Sequence, residues 1–164
     1  MGKRIYMLLL LLFTAASVYS QNTTIDKLIF TTDLNSVWEF NTNTIENGLG
    51  GGFIYTDKLA QKYQSFGITT KDYKISLVCH LKAGYFLLND ESYKNYTKGT
   101  EPNPNKEIVN KLLGEGVSVE LCGVTMQNNG WTEKDLLPGV TILAMGAYSR
   151  IIDLEKQGYK YIRY

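Results

Sequence analysis

The chain has little that most chemistry needs. Its 164 residues include one histidine and two cysteines, and its 17 Lys and Arg nearly cancel 16 Asp and Glu. A balance of that kind supplies no basic field for nucleic acid and no polybasic strip for anionic lipid. The 12 tyrosines are scattered through elements and not interleaved with Lys or Arg on one face. No Cys/His cluster stands at metal spacing, so no structural zinc site is expected. No Ser-His-Asp arrangement can be assembled. Asp90-Glu91 falls in a polar stretch and reads as solvated surface. Beyond the first twenty residues no run is apolar enough to span a bilayer, which takes about 20 residues.

What is present begins with "MGKRIYMLLLLLFTAASVYSQ". Lys3 and Arg4 precede an apolar run over 5–13 and then a small-residue stretch, the three parts of a secretory signal. The run is too short for a comfortable span. With Val18 and Ser20 before the cut, cleavage is expected after Ser20. Removing Lys3 and Arg4 takes the formal net charge from +1 to −1. Residues 21–164 then form one domain, periplasmic or secreted, with no stable membrane anchor. That size buries a core without staples. Asn22-Thr23-Thr24 and Asn95-Tyr96-Thr97 match the glycosylation pattern, a match that also arises often by chance.

"KLIFTTDL" (27–34) reads as a short buried strand, and "NSVWEFNTNTIENGLGGG" as a long loop. The run Gly50-Gly51-Gly52 lacks the Walker lysine and does not directly follow the strand, so it reads as a flexible connection and not a phosphate cradle. Tyr55, Leu59, Tyr63 and Phe66 give one apolar helical face over 53–66, ended by Gly67. "YKISLVCHL" (73–81) is a near-continuous apolar run, suited to a strand covered on both faces. "AGYFLLND" follows as a short helix and "ESYKNYTKGTEPNPN" as a surface loop. Asn103 caps the next helix with Pro104 in its first turn. Ile108, Val109, Leu112 and Leu113 are its buried stripe. "VSVELC" is the third strand, Thr132 with Asp135 caps a short turn, and "VTILA" (140–144) is the fourth strand. Ala147, Ile151 and Leu154 mark a last helix stopped by Gly158, before the strand "YKYIRY". This alternation predicts an α/β domain with a mostly parallel sheet. In such folds chemistry gathers at the carboxyl ends of strands, where Cys79-His80 and Cys122-Gly123 both fall.

His80 after the second strand, Asn103-Pro104-Asn105, Cys122-Gly123, Leu137-Pro138-Gly139-Val140 and Gly158-Tyr159, in that order and spacing, resemble the DsrE/DsrF-like family, and within it the exported branch. The resemblance is close over 74–162 and holds in outline over 25–73. It implies a three-layer α/β/α sandwich with a five-stranded parallel sheet, assembled as a trimer or hexamer; no cofactor is expected. It implies a persulfide carried on a cysteine after the third strand, which Cys122 matches, exchanged with a thiol or persulfide partner protein. The family often has Gly after the histidine. Here Leu81 stands there, and it is expected to narrow the space beside His80.

The candidate catalytic residues are therefore Cys122 and His80. The thiolate is the sulfur carrier, and a free thiol with a pKa near 8.5 needs help at neutral pH. Gly123 and the turn after it offer backbone N–H groups. His80 and Lys82 are expected to make the field positive, with His80 shuttling a proton. Other readings stay open at this point. Cys122 could be an inert small hydrophobe, or half of a Cys79–Cys122 disulfide. Cys79 has the period of a packed strand residue, and His80 suits a structural hydrogen bond. The rival function is a non-enzymatic oligomeric module that binds a small ligand or a protein in the periplasm. A nucleotide or flavin binder rests on fold analogy alone.

Overall fold

The computed structural model describes residues 27–164, so the expected signal segment and its cut lie outside the described residues. Five parallel strands form the central sheet: β1 (Ser36–Phe40), β4 (Ile75–Cys79), β5 (Ser118–Cys122), β6 (Thr141–Leu143) and β7 (Lys160–Arg163). They lie in the order β6-β5-β4-β1-β7. A two-residue-per-strand antiparallel hairpin, β2 (Ile45–Glu46) and β3 (Leu49–Gly50), precedes the first helix. The helices are α1 (Gly51–Ser65), α2 (Asp90–Thr97), α3 (Lys106–Gly114), α4 (Gly123–Asn129) and α5 (Ala147–Lys156), with 3-10 turns at Leu81–Leu87 and Glu133–Asp135. The expected α/β sandwich with a five-stranded parallel sheet is what the chain forms.

The chain steps from β1 outward to β6, then returns through α5 to place β7 on the other side of β1. This reversal puts α5 alone on one face. The other face carries the larger core. There Phe40, Phe53 and Phe86 pack ring against ring, with centroids 5.5 to 6.2 Å apart, and Val109 and Leu112 of α3 close over Leu77, Val119 and Leu121. Strand side chains alternate between faces. Trp38, Phe40, Ile75, Leu77, Cys79, Val119 and Leu121 join the larger cluster, whereas Val37, Val78 and Cys122 join Ala147, Ile151 and Leu154 under α5.

Several expectations need correction. The first strand is not 27–34, where Ile29 is 92% exposed and Phe30 74%, but Ser36–Phe40, all five residues buried. It opens a stretch without a period and rich in Asn and Gly, which reads as loop in the sequence. The stretch after Leu88 is not all surface loop. Asp90–Thr97 is helical although none of its residues is buried, so it shows no apolar period. Its cap is Asn89, whose side chain accepts from Ser92 N at 2.9 Å. α3 starts at Lys106, two residues later than Pro104. Asn103 makes an Asx turn, accepting from Asn105 N at 2.9 Å, while its amide donates to the carbonyls of Phe86 and Leu88. The residues after Cys122 form a helix rather than a turn. The glycine run is packed and not flexible: a Cβ on Gly52 would lie 2.5 Å from the Phe40 ring, and one on Gly51 would overlap the Tyr164 hydroxyl. These glycines let α1 begin against the sheet. The expected capping box of Thr132 and Asp135 is present.

Candidate functional site

The two cysteines are separated by the pleat. Cys79 pairs in register with Leu121 and points into the larger core, fully buried. Cys122 lies one residue further along its strand and points to the opposite face, under α5. Both are free thiols. A bridge between them is excluded, because Cβ vectors on opposite faces point apart. Cys79 packs as a small hydrophobe, and burial, with a smaller contribution from the Glu120 carboxylate, pushes its thiol far above the ordinary range.

Extending the β4–β5 register by one step sets Cys122 beside His80. Both residues follow the period that faces α5, and neighbouring strands lie about 4.8 Å apart. Cys122 is 6% exposed and His80 2%. They line one cavity of about 240 Å³ at the carboxyl end of the sheet, with Thr125, Met145, Tyr148 and Ser149 in its wall. Cys122 holds the cap position of α4 (φ −62°, ψ 120°), at the positive end of that helix. Gly146, just before α5, stands at φ +84°, a backbone conformation that favours glycine, close to the Cys122 sulfur.

His80 is anchored from both sides. Its Nε2 lies 2.8 Å from Glu39 Oε1, and its ring meets the Tyr148 ring edge-on at 5.2 Å between centroids. Glu39 comes from β1, two positions below His80 on the same face, and is 5% exposed. Asn41 Nδ2 donates to its Oε1 at 2.9 Å and the Tyr161 hydroxyl donates to its Oε2. Burial raises the Glu39 carboxyl, but the hydrogen bonds from Tyr161, His80 and Asn41 outweigh it and hold it below the ordinary glutamate value. Burial and the Glu39 bond push the Tyr161 phenol up to about 12, so it remains a donor at neutral pH.

One expectation about the surroundings changes. Lys82 is exposed and borders a different, outer hollow with Tyr96 and Asn128. The charge that faces His80 is the Glu39 carboxylate, not a cation. Leu81 lines the same cavity as His80 and Cys122. It is 58% exposed at the cavity mouth, and its backbone stands at φ +51°, the region where glycine is at ease and other residues are strained. Its N–H donates to Thr125 Oγ1 at 3.0 Å. Glu39, Tyr161, Tyr148 and Thr125 escaped the sequence reading. A lone carboxylate inside the apolar run "SVWEF" was the available signal for the first of them.

A second buried carboxylate lies below Cys122 on the same face. Glu120 is fully buried and takes hydrogen bonds from Ser76 at 3.0 Å and Ser118 at 2.8 Å. Arg150 of α5 clasps it with Nε and Nη2, each at 2.9 Å. Among the described residues no group of three or more His, Cys, Asp or Glu is placed to hold a metal, and no helix is long and apolar enough to cross a membrane.

A parallel α/β sandwich with a cysteine and a histidine side by side at the carboxyl end of its sheet defines the class. The chain belongs to the DsrE/DsrF-like family, whose model matches residues 56–164. Two solved structures share the fold. One is the protein of unknown function MTH1491 from Methanobacterium thermoautotrophicum, at TM-score 0.58 and 19% identity over 80% of this chain and 100% of that one. The other is the ychN protein from E. coli, at TM-score 0.55 and 15% identity over 79% and 99%. No curated protein sequence matches the chain.

Proposed function

We propose that this is an exported sulfur carrier that holds a persulfide on Cys122, with His80 as its proton partner. The observation that supports it most is the placement of these two side chains in one cavity at the same height of neighbouring strands. His80 takes the proton of the Cys122 thiol. The thiolate attacks the outer sulfur of a donor persulfide, R–S–SH, and the donor S–S bond breaks. The donor leaves as R–S⁻ and Cys122 becomes the persulfide. An acceptor thiolate then attacks that outer sulfur and Cys122 leaves as thiolate. No electrons are gained or lost overall, and the imidazole returns its proton to the departing thiolate. Export rests on the first twenty residues. Assembly as a homo-oligomer, a trimer or hexamer, is supported by the apolar side chains left on the α5 side, where Met145 is 83% exposed and Tyr148 and Ile152 are also exposed. The test is intact mass after incubation with a donor persulfide. Wild type should gain one sulfur that reductant removes, and Cys122→Ser should gain none while keeping its circular dichroism. Equal loading of the variant sinks the carrier reading.

A second reading, a non-catalytic binding module, is favoured by the low exposure of Cys122. Under that reading native Cys122 resists alkylation until the protein unfolds.

A further inference from the structure

We infer that Glu39 is a positioning residue: with Tyr161 and Asn41 it fixes His80 in the tautomer that carries its proton on Nε2, so that bare Nδ1 is the base offered to the Cys122 cavity. This rests on the carrier reading for its consequence, but not for its geometry.

The donors and acceptors leave one arrangement. Asn41 Nδ2 and the Tyr161 hydroxyl both donate to the Glu39 carboxylate. An ionised carboxylate only accepts. Its contact with His80 Nε2 at 2.8 Å is a hydrogen bond only if that nitrogen carries the proton. A neutral imidazole has one N–H, so Nδ1 is then an acceptor. Nδ1 makes no hydrogen bond to any described residue, and it is not among the buried atoms lacking a partner. It therefore reaches accessible space, and the cavity that His80 lines is the one holding Cys122. When the ring takes a second proton from the thiol, the imidazolium stays bonded to Glu39, which favours the charged pair of imidazolium and thiolate. The titratable groups around the ring are Glu39 from β1, Cys122 from the end of β5, and Tyr148 from α5. Tyr161 of β7 acts through Glu39, with Arg163 beside Tyr161. In this respect the arrangement repeats the logic of an orienting carboxylate behind a catalytic histidine, where the carboxylate sets the tautomer and steadies the imidazolium.

The chain has a single histidine, so one imidazole appears in a long-range proton–nitrogen spectrum of the full protein. At a pH where the ring is neutral, the expected pattern is protonated Nε2 and bare Nδ1. A proton on Nδ1 overturns the inference with no mutation needed. The second arm is the alkylation rate of Cys122 against pH in wild type, Glu39→Gln and Tyr161→Phe. Glu39→Gln should react about tenfold more slowly near pH 7, a modest part of the 10²–10⁴ a positioned base supplies. The gap should close above about pH 9, where a free thiol ionises unaided. Tyr161→Phe should shift the profile the same way by less. A uniform change at every pH would mark a structural role and overturn the inference, as would unchanged profiles. Failure of sulfur loading in wild type would sink the carrier reading and leave the imidazole spectrum to decide Glu39 by itself.

Discussion

Replacing Arg150 with alanine should cost far more than an ordinary surface ion pair. Arg150 is itself 32% exposed, which taken alone suggests a contribution of about 0–1 kcal/mol. Its partner decides otherwise. The Glu120 side chain is 1% exposed, and without the guanidinium its charge keeps only the Ser76 and Ser118 hydroxyls. Removing one partner of a buried pair costs about 3–5 kcal/mol, because the other charge remains buried and uncompensated. Water reaching the arginine side places Arg150→Ala near the low end, about 3 kcal/mol. For a chain of this length that lowers Tm by about 6–12 °C. Urea denaturation of Arg150→Ala, Glu120→Gln and the double variant forms a cycle that isolates the pair. The double variant should recover most of the loss, since the amide keeps the serine bonds without a charge. The consequence reaches the site, because α5 carries Tyr148 and Ser149 in the cavity wall. Loosening its clasp on the sheet should speed alkylation of Cys122. A loss below about 1 kcal/mol for Arg150→Ala, or no recovery in the double variant, refutes the reasoning.

Other expectations follow from single contacts. Cys79→Ser should lose about 1–3 kcal/mol by burying a hydroxyl in the larger apolar cluster, and wild-type Cys79 should alkylate only on unfolding, which mass spectrometry of native and denatured samples reads directly. Leu81→Gly removes a left-handed backbone cost of about 1–2 kcal/mol and adds about 0.5–1 kcal/mol of chain entropy. Its stability in urea should stay level or rise slightly, while Leu81→Ala, which keeps the strain, should fall. Glu39 is held below the ordinary glutamate value in the folded chain, so its share of stability is complete above the unfolded value, about 4.3, and is lost as pH falls through the lowered folded value. Urea midpoints between pH 6 and pH 3 should therefore fall less steeply for Glu39→Gln, with a residual slope from Asp72, Asp90 and Asp135, which are also lowered.

Elements with an apolar period were legible in the sequence, and those held by polar contacts were not. The run "ISLVC" announced β4 because all five residues are buried, and Ile108, Val109, Leu112 and Leu113 announced α3. α2 has no fully buried residue, only Tyr93 packed partly against the core, and is held by its Asn89 cap and the Ser92–Asp135 hydrogen bond, so no period marked it. β1 was missed because it opens a stretch rich in Asn and Gly that shows no period, yet its Glu39 is what the fold brings to His80. Cys122 and His80 were found from their places at strand ends, whereas their company was not. Glu39, Tyr161 and Tyr148 lie far from them in sequence, and only the order β5-β4-β1-β7 with α5 above it makes them neighbours.

The unequal cover of the two faces accounts for where the polar chemistry lies. Larger-core residues at alternate positions of β4 and β5, Leu77, Cys79, Val119 and Leu121, meet α1, α3 and the Phe40–Phe53–Phe86 rings, where an unpaired polar atom would find no partner. The intervening positions face a single ten-residue helix. There the sheet carries Glu39, Ser76, His80, Ser118, Glu120 and Cys122, and the cover is thin enough for Arg150 and Tyr161 to reach in from partly exposed positions. One step along a strand therefore separates a thiol sealed in the apolar core from one that shares a cavity with His80. A one-residue shift in β5 register would exchange Leu121 and Cys122 between faces, placing a thiol in the aromatic core and a leucine beside His80. The Glu120–Arg150 clasp opposes that shift, because Glu120 sits one turn of the pleat below Cys122 and its buried charge fits only the face where Arg150 stands. On this argument the clasp stabilises more than α5: it keeps Cys122 on the side of the sheet where His80 can reach it.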